Sequence, residues 1–119
     1  PKKNYKILKI KYKDLLDSCG FECDIGWYIL LDDLLHNIKS KDPNGETNVV
    51  QIKEKFGTLR FYVGSATDEI FELIDTAEIR SGKICERCGK EDETVKTRGG
   101  GWIYTWCDEC EEENNKNRR

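Results

Sequence analysis

The chain has 119 residues, 37% of them hydrophobic and 36% charged, with a formal charge of −3. That length gives one domain, or one domain with a small appendage, and a core small enough to benefit from extra staples. The acidic balance excludes a general polyanion binder, and no apolar run approaches the ~20 residues of a membrane span. The basic start lacks the apolar stretch of a secretory signal, so the expected compartment is the cytoplasm, where thiols stay reduced. Six cysteines in that setting point to metal before disulfides.

Residues 1–13 hold Lys2, Lys3, Lys6, Lys9, Lys11 and Lys13 and no acid. A solvated end is the simpler reading and a nucleic-acid arm the sharper one. Leu8, Ile10 and Tyr12 alternate like a strand, whereas Leu8, Tyr12, Leu15, Leu16 and Cys19 fit a helical face; the balance favours a helix over 12–18, its start left open and Gly20 its stop. Cys19 and Cys23 are spaced as a metal half-site or redox pair would be. With no further ligand beside them, two ordinary thiols are the simpler reading.

Trp27, Leu30, Leu31, Leu34, Leu35 and Ile38 recur at helical spacing and predict a helix over 27–39, closed by the loop SKDPNG. It carries the sole histidine, His36, and the adjacent pair Asp32 and Asp33. Neighbouring helix positions point apart, so these acids do not share a metal or substrate, and His36 reads as a solvent or boundary position. No phosphate-binding or dinucleotide fingerprint appears, and no catalytic set assembles.

Residues 47–63 read as a β-hairpin turning at Gly57. Val50, Ile52, Leu59, Phe61 and Val63 are assigned to the core face. Val49, Gln51, Lys53, Thr58, Arg60 and Tyr62 then face away. A solvated face is the simpler account of any one hairpin. The sharper one is a ligand surface made of Gln51, Lys53, Arg60 and Tyr62, since Arg grips phosphate through two N–H groups, Lys adds charge and Tyr offers a stacking face. A helix follows over 67–81, with Thr67 as N-cap, Asp68 and Glu69 in the first turn, and Ile70, Leu73, Ile74 and Ala77 as its buried stripe.

From Lys83 the composition changes. CERCG places Cys85 and Cys88 two residues apart, and CDEC does the same for Cys107 and Cys110. Such spacing lets both sulfurs of a tight turn reach one ion, and Gly89 relieves the left-handed bend that follows. Strands at 94–98 and 102–106, turning through Gly99, Gly100 and Gly101, bring the two pairs together. Four thiolates select Zn(II) in a closed, structural site; two disulfides or an iron–sulfur cluster are the rivals. Arg98, Trp102, Tyr104 and Trp106 are candidates for stacking on bases, although three aromatics on one strand face serve equally as the core of a module poor in aliphatics. Lys96 and Arg98 stay open between the two readings. The end, residues 113–119, has no apolar side chain and is expected to lack structure.

KEKFGTLRFY, then Ala77-Glu78, CERCG and GWIYTWCDEC together resemble a group of small phage and bacterial proteins with no established activity. That group carries a glycine–tryptophan element ahead of a helix, matched here by Gly26-Trp27; the acid it places just before the glycine is Ile25 here, with Asp24 one step earlier. The resemblance implies a shared fold and an origin in a phage or mobile element.

The expectation is therefore an α+β chain: an antiparallel hairpin sheet packed by two or three helices over 1–82, a zinc-ribbon module over 83–112, and a tail over 113–119. The expected role is a non-catalytic, zinc-containing binding protein whose partner is a host protein, including those of antiviral defence, or a phosphate-containing small ligand. A DNA- or RNA-binding module is the alternative, and a metal-dependent hydrolase has least support. An unpaired hairpin edge would also allow a homodimer.

Overall fold

The computed structural model describes residues 4–117. Two short helices, α1 (Lys6–Lys11) and α2 (Lys13–Leu16), meet at Tyr12, which leaves helical geometry at φ −118°. The lysine-rich start is thus a helix from Lys6 onward, and Lys2 and Lys3 lie outside the described residues. Leu8, Tyr12, Leu15 and Leu16 are buried and the lysines point outward, so the helical alternative holds for the whole segment. A strand of two residues, β1 (Phe21–Glu22), leads to a 3-10 turn at Ile25–Trp27 and to α3 (Tyr28–Ser40). The apolar stripe of α3, from Leu30 to Ile38, is buried as its periodicity requires.

The hairpin consists of β2 (Val49–Lys55) and β3 (Thr58–Val63), and β1 adds parallel to the outer edge of β2. The sheet is therefore mixed, with order β1-β2-β3, where alternation predicts only the antiparallel hairpin. Its register pairs Gln51 with Tyr62 and Lys53 with Arg60, and shifts between Val49 and Gln51. That irregularity reverses one assignment. Val49 is buried and Val50 is exposed, the opposite of strict alternation, because an extra residue in one strand changes which side chain points inward. Ile52, Leu59 and Phe61 meet the core as expected, and Val63 sits at its margin.

Helix α4 (Asp68–Ser81) starts where the sequence indicates, with the Thr67 hydroxyl accepting from the Ile70 amide. It packs on the core side of the sheet and against α3. It also covers the free edge of β3: the Leu59 amide donates to Ser81 Oγ at 2.9 Å and the Phe61 amide to Glu78 Oε2 at 2.9 Å. These two amides of the β3 edge are thus already partnered.

The C-terminal part contains β4 (Lys96–Arg98), β5 (Tyr104–Trp106) and α5 (Asp108–Asn117). Residues 113–117 belong to α5, which corrects the expectation of a structureless tail. The helix has almost no apolar face. It is held instead by the buried Cys110, by Tyr104 Oη donating to Glu111, and by Arg87 donating to the Cys110 carbonyl. This part has its own small cluster of Cys85, Val95, Trp106, Cys107 and Cys110, but is docked tightly on the rest. Trp27 Nε1 donates to the Ile84 carbonyl at 3.1 Å, Gly26 N to the Glu86 carbonyl at 2.7 Å, and Thr105 Oγ1 to the Gly57 carbonyl at 2.6 Å.

Candidate functional site

The sulfurs of Cys85, Cys88, Cys107 and Cys110 all lie within 4.8 Å of one another. Two local devices bring them together. In the first knuckle, Gly89 adopts φ +89° and its amide returns to the Cys85 carbonyl at 2.8 Å, which curls Cys85 and Cys88 around a shared centre. The second pair is not a matching knuckle. Cys107 directly precedes α5 and Cys110 lies in its first turn, with the Cys110 amide donating to Cys107 Sγ at 3.4 Å. A helix N-terminus favours negative charge, so this placement suits thiolates.

Cys85 and Cys107 are fully buried, Cys110 nearly so, and Cys88 is exposed. Burial raises the Cys88 and Cys110 thiols, whereas at Cys85 burial is outweighed by hydrogen bonds from backbone amides and the thiol is lowered. Four thiolates this close together repel one another unless a cation lies between them. Four sulfur donors from the chain could hold a metal ion, and a soft set of four suits Zn(II).

The cations near this centre are engaged. Lys90 pairs with Glu109 at 2.8 Å, and the Arg87 guanidinium sits 5.4 Å from the Trp106 ring centroid. Arg98 donates to the carbonyls of Trp106 and Thr94 and pairs with Asp108 at 2.7 Å. It is therefore a brace between β4, β5 and α5, which removes it from the stacking candidates. Trp102, Tyr104 and Trp106 form one aromatic stack, but only Trp106 is buried, and Trp102 stands exposed at its end. The glycine run is a turn: Gly99 has φ +99°, and a Cβ there would meet the Trp102 carbonyl oxygen at 2.0 Å.

The remaining candidates resolve individually. Asp32 accepts from Tyr12 Oη at 2.6 Å and from Lys11 Nζ at 3.0 Å, while Asp33 faces Arg80, so the two acids have separate structural partners. His36 is exposed on α3. Cys23 contacts the Tyr5 hydroxyl at 3.6 Å, and burial pushes its thiol up to about 12; Cys19 approaches the Gly20 carbonyl instead. The pair carries no third metal ligand among the described residues. Asp24 caps the 3-10 turn by accepting from the Ile25 amide at 2.8 Å.

The hairpin face is assembled as the alternation predicts. Lys53 and Arg60 are direct cross-strand partners, with Gln51 and Tyr62 the next pair along. Gln51, Lys53 and Arg60 are half-buried and Tyr62 is exposed. The short strand β1 adds a residue that sequence reasoning missed: Glu22 lies beside Lys53 and accepts from Gln51 Nε2 at 3.2 Å. Gln51 is therefore occupied. Among the described residues, Lys53, Arg60 and the Tyr62 hydroxyl have no hydrogen-bond or ion-pair partner, and Arg60 Nε is buried without one. Lys11, Lys41, Arg80, Arg87, Lys90, Arg98 and Lys116 lie within 4.0 Å of a carboxylate, whereas among the described residues Lys6, Lys9, Lys13, Lys39, Lys55, Lys83 and Lys96 do not.

No helix of the described residues is long and apolar enough to cross a membrane. No protein-family model, curated protein or solved structure matches this chain.

Proposed function

We propose that this chain is a zinc-stapled, non-catalytic binding module that receives a phosphate-bearing ligand on the outer face of its sheet. The observation that carries the reading is the Lys53–Arg60 pair. Like charges directly opposite each other in a sheet repel, and a buried guanidinium nitrogen without an acceptor carries a desolvation cost. A phosphate placed over the pair removes both penalties at once, with Arg60 turning its N–H groups onto the oxygens and Lys53 adding charge. The zinc centre takes no part in chemistry on the ligand: its four protein donors close it, and its role is to hold the C-terminal part against the hairpin tip and the start of α3.

The test is calorimetric titration of the zinc-loaded protein with inorganic pyrophosphate and with a nucleoside triphosphate, at low salt. The reading expects saturable binding by at least one of them, weakened tenfold or more in Arg60→Ala and in Lys53→Ala while both variants melt as the wild type does. Equal binding by wild type and both variants, or no binding of either probe, would remove the face from consideration.

A further inference from the structure

The hairpin ends in a feature that a simple phosphate site does not need. Phe56 occupies the left-handed region at φ 55°, a conformation costly for a bulky residue, and the residue is 63% exposed. Gly57 beside it, at φ +87°, completes the turn and docks on Thr105, so the tip is held rigidly on the C-terminal part. The Lys55 ammonium lies 5.6 Å from the Phe56 ring centroid. Lys55 alternates with Lys53 along β2, so this contact puts the ring on the Lys53–Arg60 side of the sheet. Tyr62, 45% exposed, stands beyond Arg60 at the other end of the same face. The order along the surface is aromatic, cation, cation pair, aromatic.

Tyr62 lies four residues from Thr58, roughly 14 Å along an extended strand, and Phe56 lies further still. One nucleotide cannot stack on both rings. A single strand can, since its bases are free to turn onto aromatic faces while its backbone follows a row of cations. Duplex does not offer that: its bases are stacked on each other and its phosphates lie on a convex cylinder. From this arrangement we infer that the ligand is single-stranded nucleic acid. Phe56 and Tyr62 act as stacking platforms, and Lys53, Lys55 and Arg60 neutralise the intervening phosphodiesters. Among the described strand residues, Glu22 is the acid on this face; it lies on the edge strand beside Lys53 and accepts from Gln51. The inference rests on the proposed phosphate-binding reading and narrows it to a polymer.

The experiment is fluorescence anisotropy on the full zinc-loaded chain with labelled pentathymidylate and pentauridylate, which separate DNA from RNA. An abasic pentamer of the same phosphate count and thymidine triphosphate serve as competitors. The expected result is that one pentamer binds at least tenfold tighter than either competitor. Three neutralised phosphates give a log–log salt slope of about −2. Tyr62→Leu and Phe56→Gly each weaken the pentamer by roughly tenfold. Phe56→Gly relieves the left-handed strain, so it melts at or above the wild-type temperature and its loss of binding is not a folding defect. Equal affinity for triphosphate and pentamer would overturn the polymer inference and leave the phosphate face standing. Equal affinity for abasic and natural pentamers would overturn the stacking role. No binding of any phosphate probe would remove both.

Discussion

Gly26 donates its amide to the carbonyl of Glu86 at 2.7 Å, and a Cβ on Gly26 would stand 2.2 Å from the carbonyl oxygens of both Cys85 and Glu86. The 3-10 turn that leads into α3 and the first cysteine knuckle are thus in backbone-to-backbone contact. Glu86 reinforces it from the other side, its carboxylate accepting from the Asp24 amide at 3.0 Å. Gly26→Ala is expected to destabilise the chain by about 2 kcal/mol or more, since neither carbonyl is free to retreat without shifting a metal ligand. Urea unfolding measures it, and metal content should fall in the same variant.

Replacing a sulfur should have a wider effect. The C-terminal cluster contains few apolar residues beyond the cysteines themselves, so a metal bound there would add much to its cohesion. Cys85→Ser is expected to lose zinc and roughly 3 kcal/mol of stability or more. Because Trp27 bonds to the Ile84 carbonyl, its near-ultraviolet signal should change on chelation although it lies far from the cysteines in sequence.

Acid should loosen the attachment of α1 to α3. The hydrogen bond from Tyr12 holds the Asp32 carboxyl below its usual range, helped by Lys11. A carboxyl depressed in the folded state contributes stability that is present above its unfolded value, ~3.9, and lost as pH falls through the lower folded one. Tyr12→Phe should therefore cost about 1 kcal/mol at neutral pH and show a shallower loss of stability below pH ~4 than the wild type. Thermal melts from pH 7 down to pH 2 provide the comparison.

Glu78 offers a test of how the β3 edge is sealed. Removing its carboxylate in Glu78→Ala leaves the Phe61 amide without an acceptor, at a cost of about 1–3 kcal/mol. Glu78→Gln keeps an acceptor oxygen and should cost much less. If the alanine variant also self-associates in sedimentation, the uncovered edge is the cause.

What the sequence revealed and what it hid follow from the range of the forces involved. Helices α3 and α4 were legible because their apolar stripes are periodic and Thr67 is a capping residue. The four cysteines were legible because their spacing is itself the chelating geometry. That Lys53 and Arg60 share a face followed from alternation; their direct pairing across the strands depends on register, which alternation does not give. Strand β1 was hidden: two residues carry no period, and their partner lies some 30 positions away. Val49 and Val50 exchanged roles because an irregularity of register has no signature in a run of two valines. Helix α5 was hidden because a polar segment reads as solvated until the buried Cys110 anchors it to the cysteine cluster. Docking of the C-terminal part on Gly26 and Gly57 depends on backbone close approach, which a glycine permits but does not announce.

Native mass spectrometry of protein purified without chelator or added metal reads directly whether the four cysteines hold one zinc ion that organises the C-terminal part. One zinc per chain is expected, lost together with the compact charge-state distribution when a chelator is added. A compact chain at the metal-free mass, or one lighter by the hydrogens of two disulfides, would contradict it.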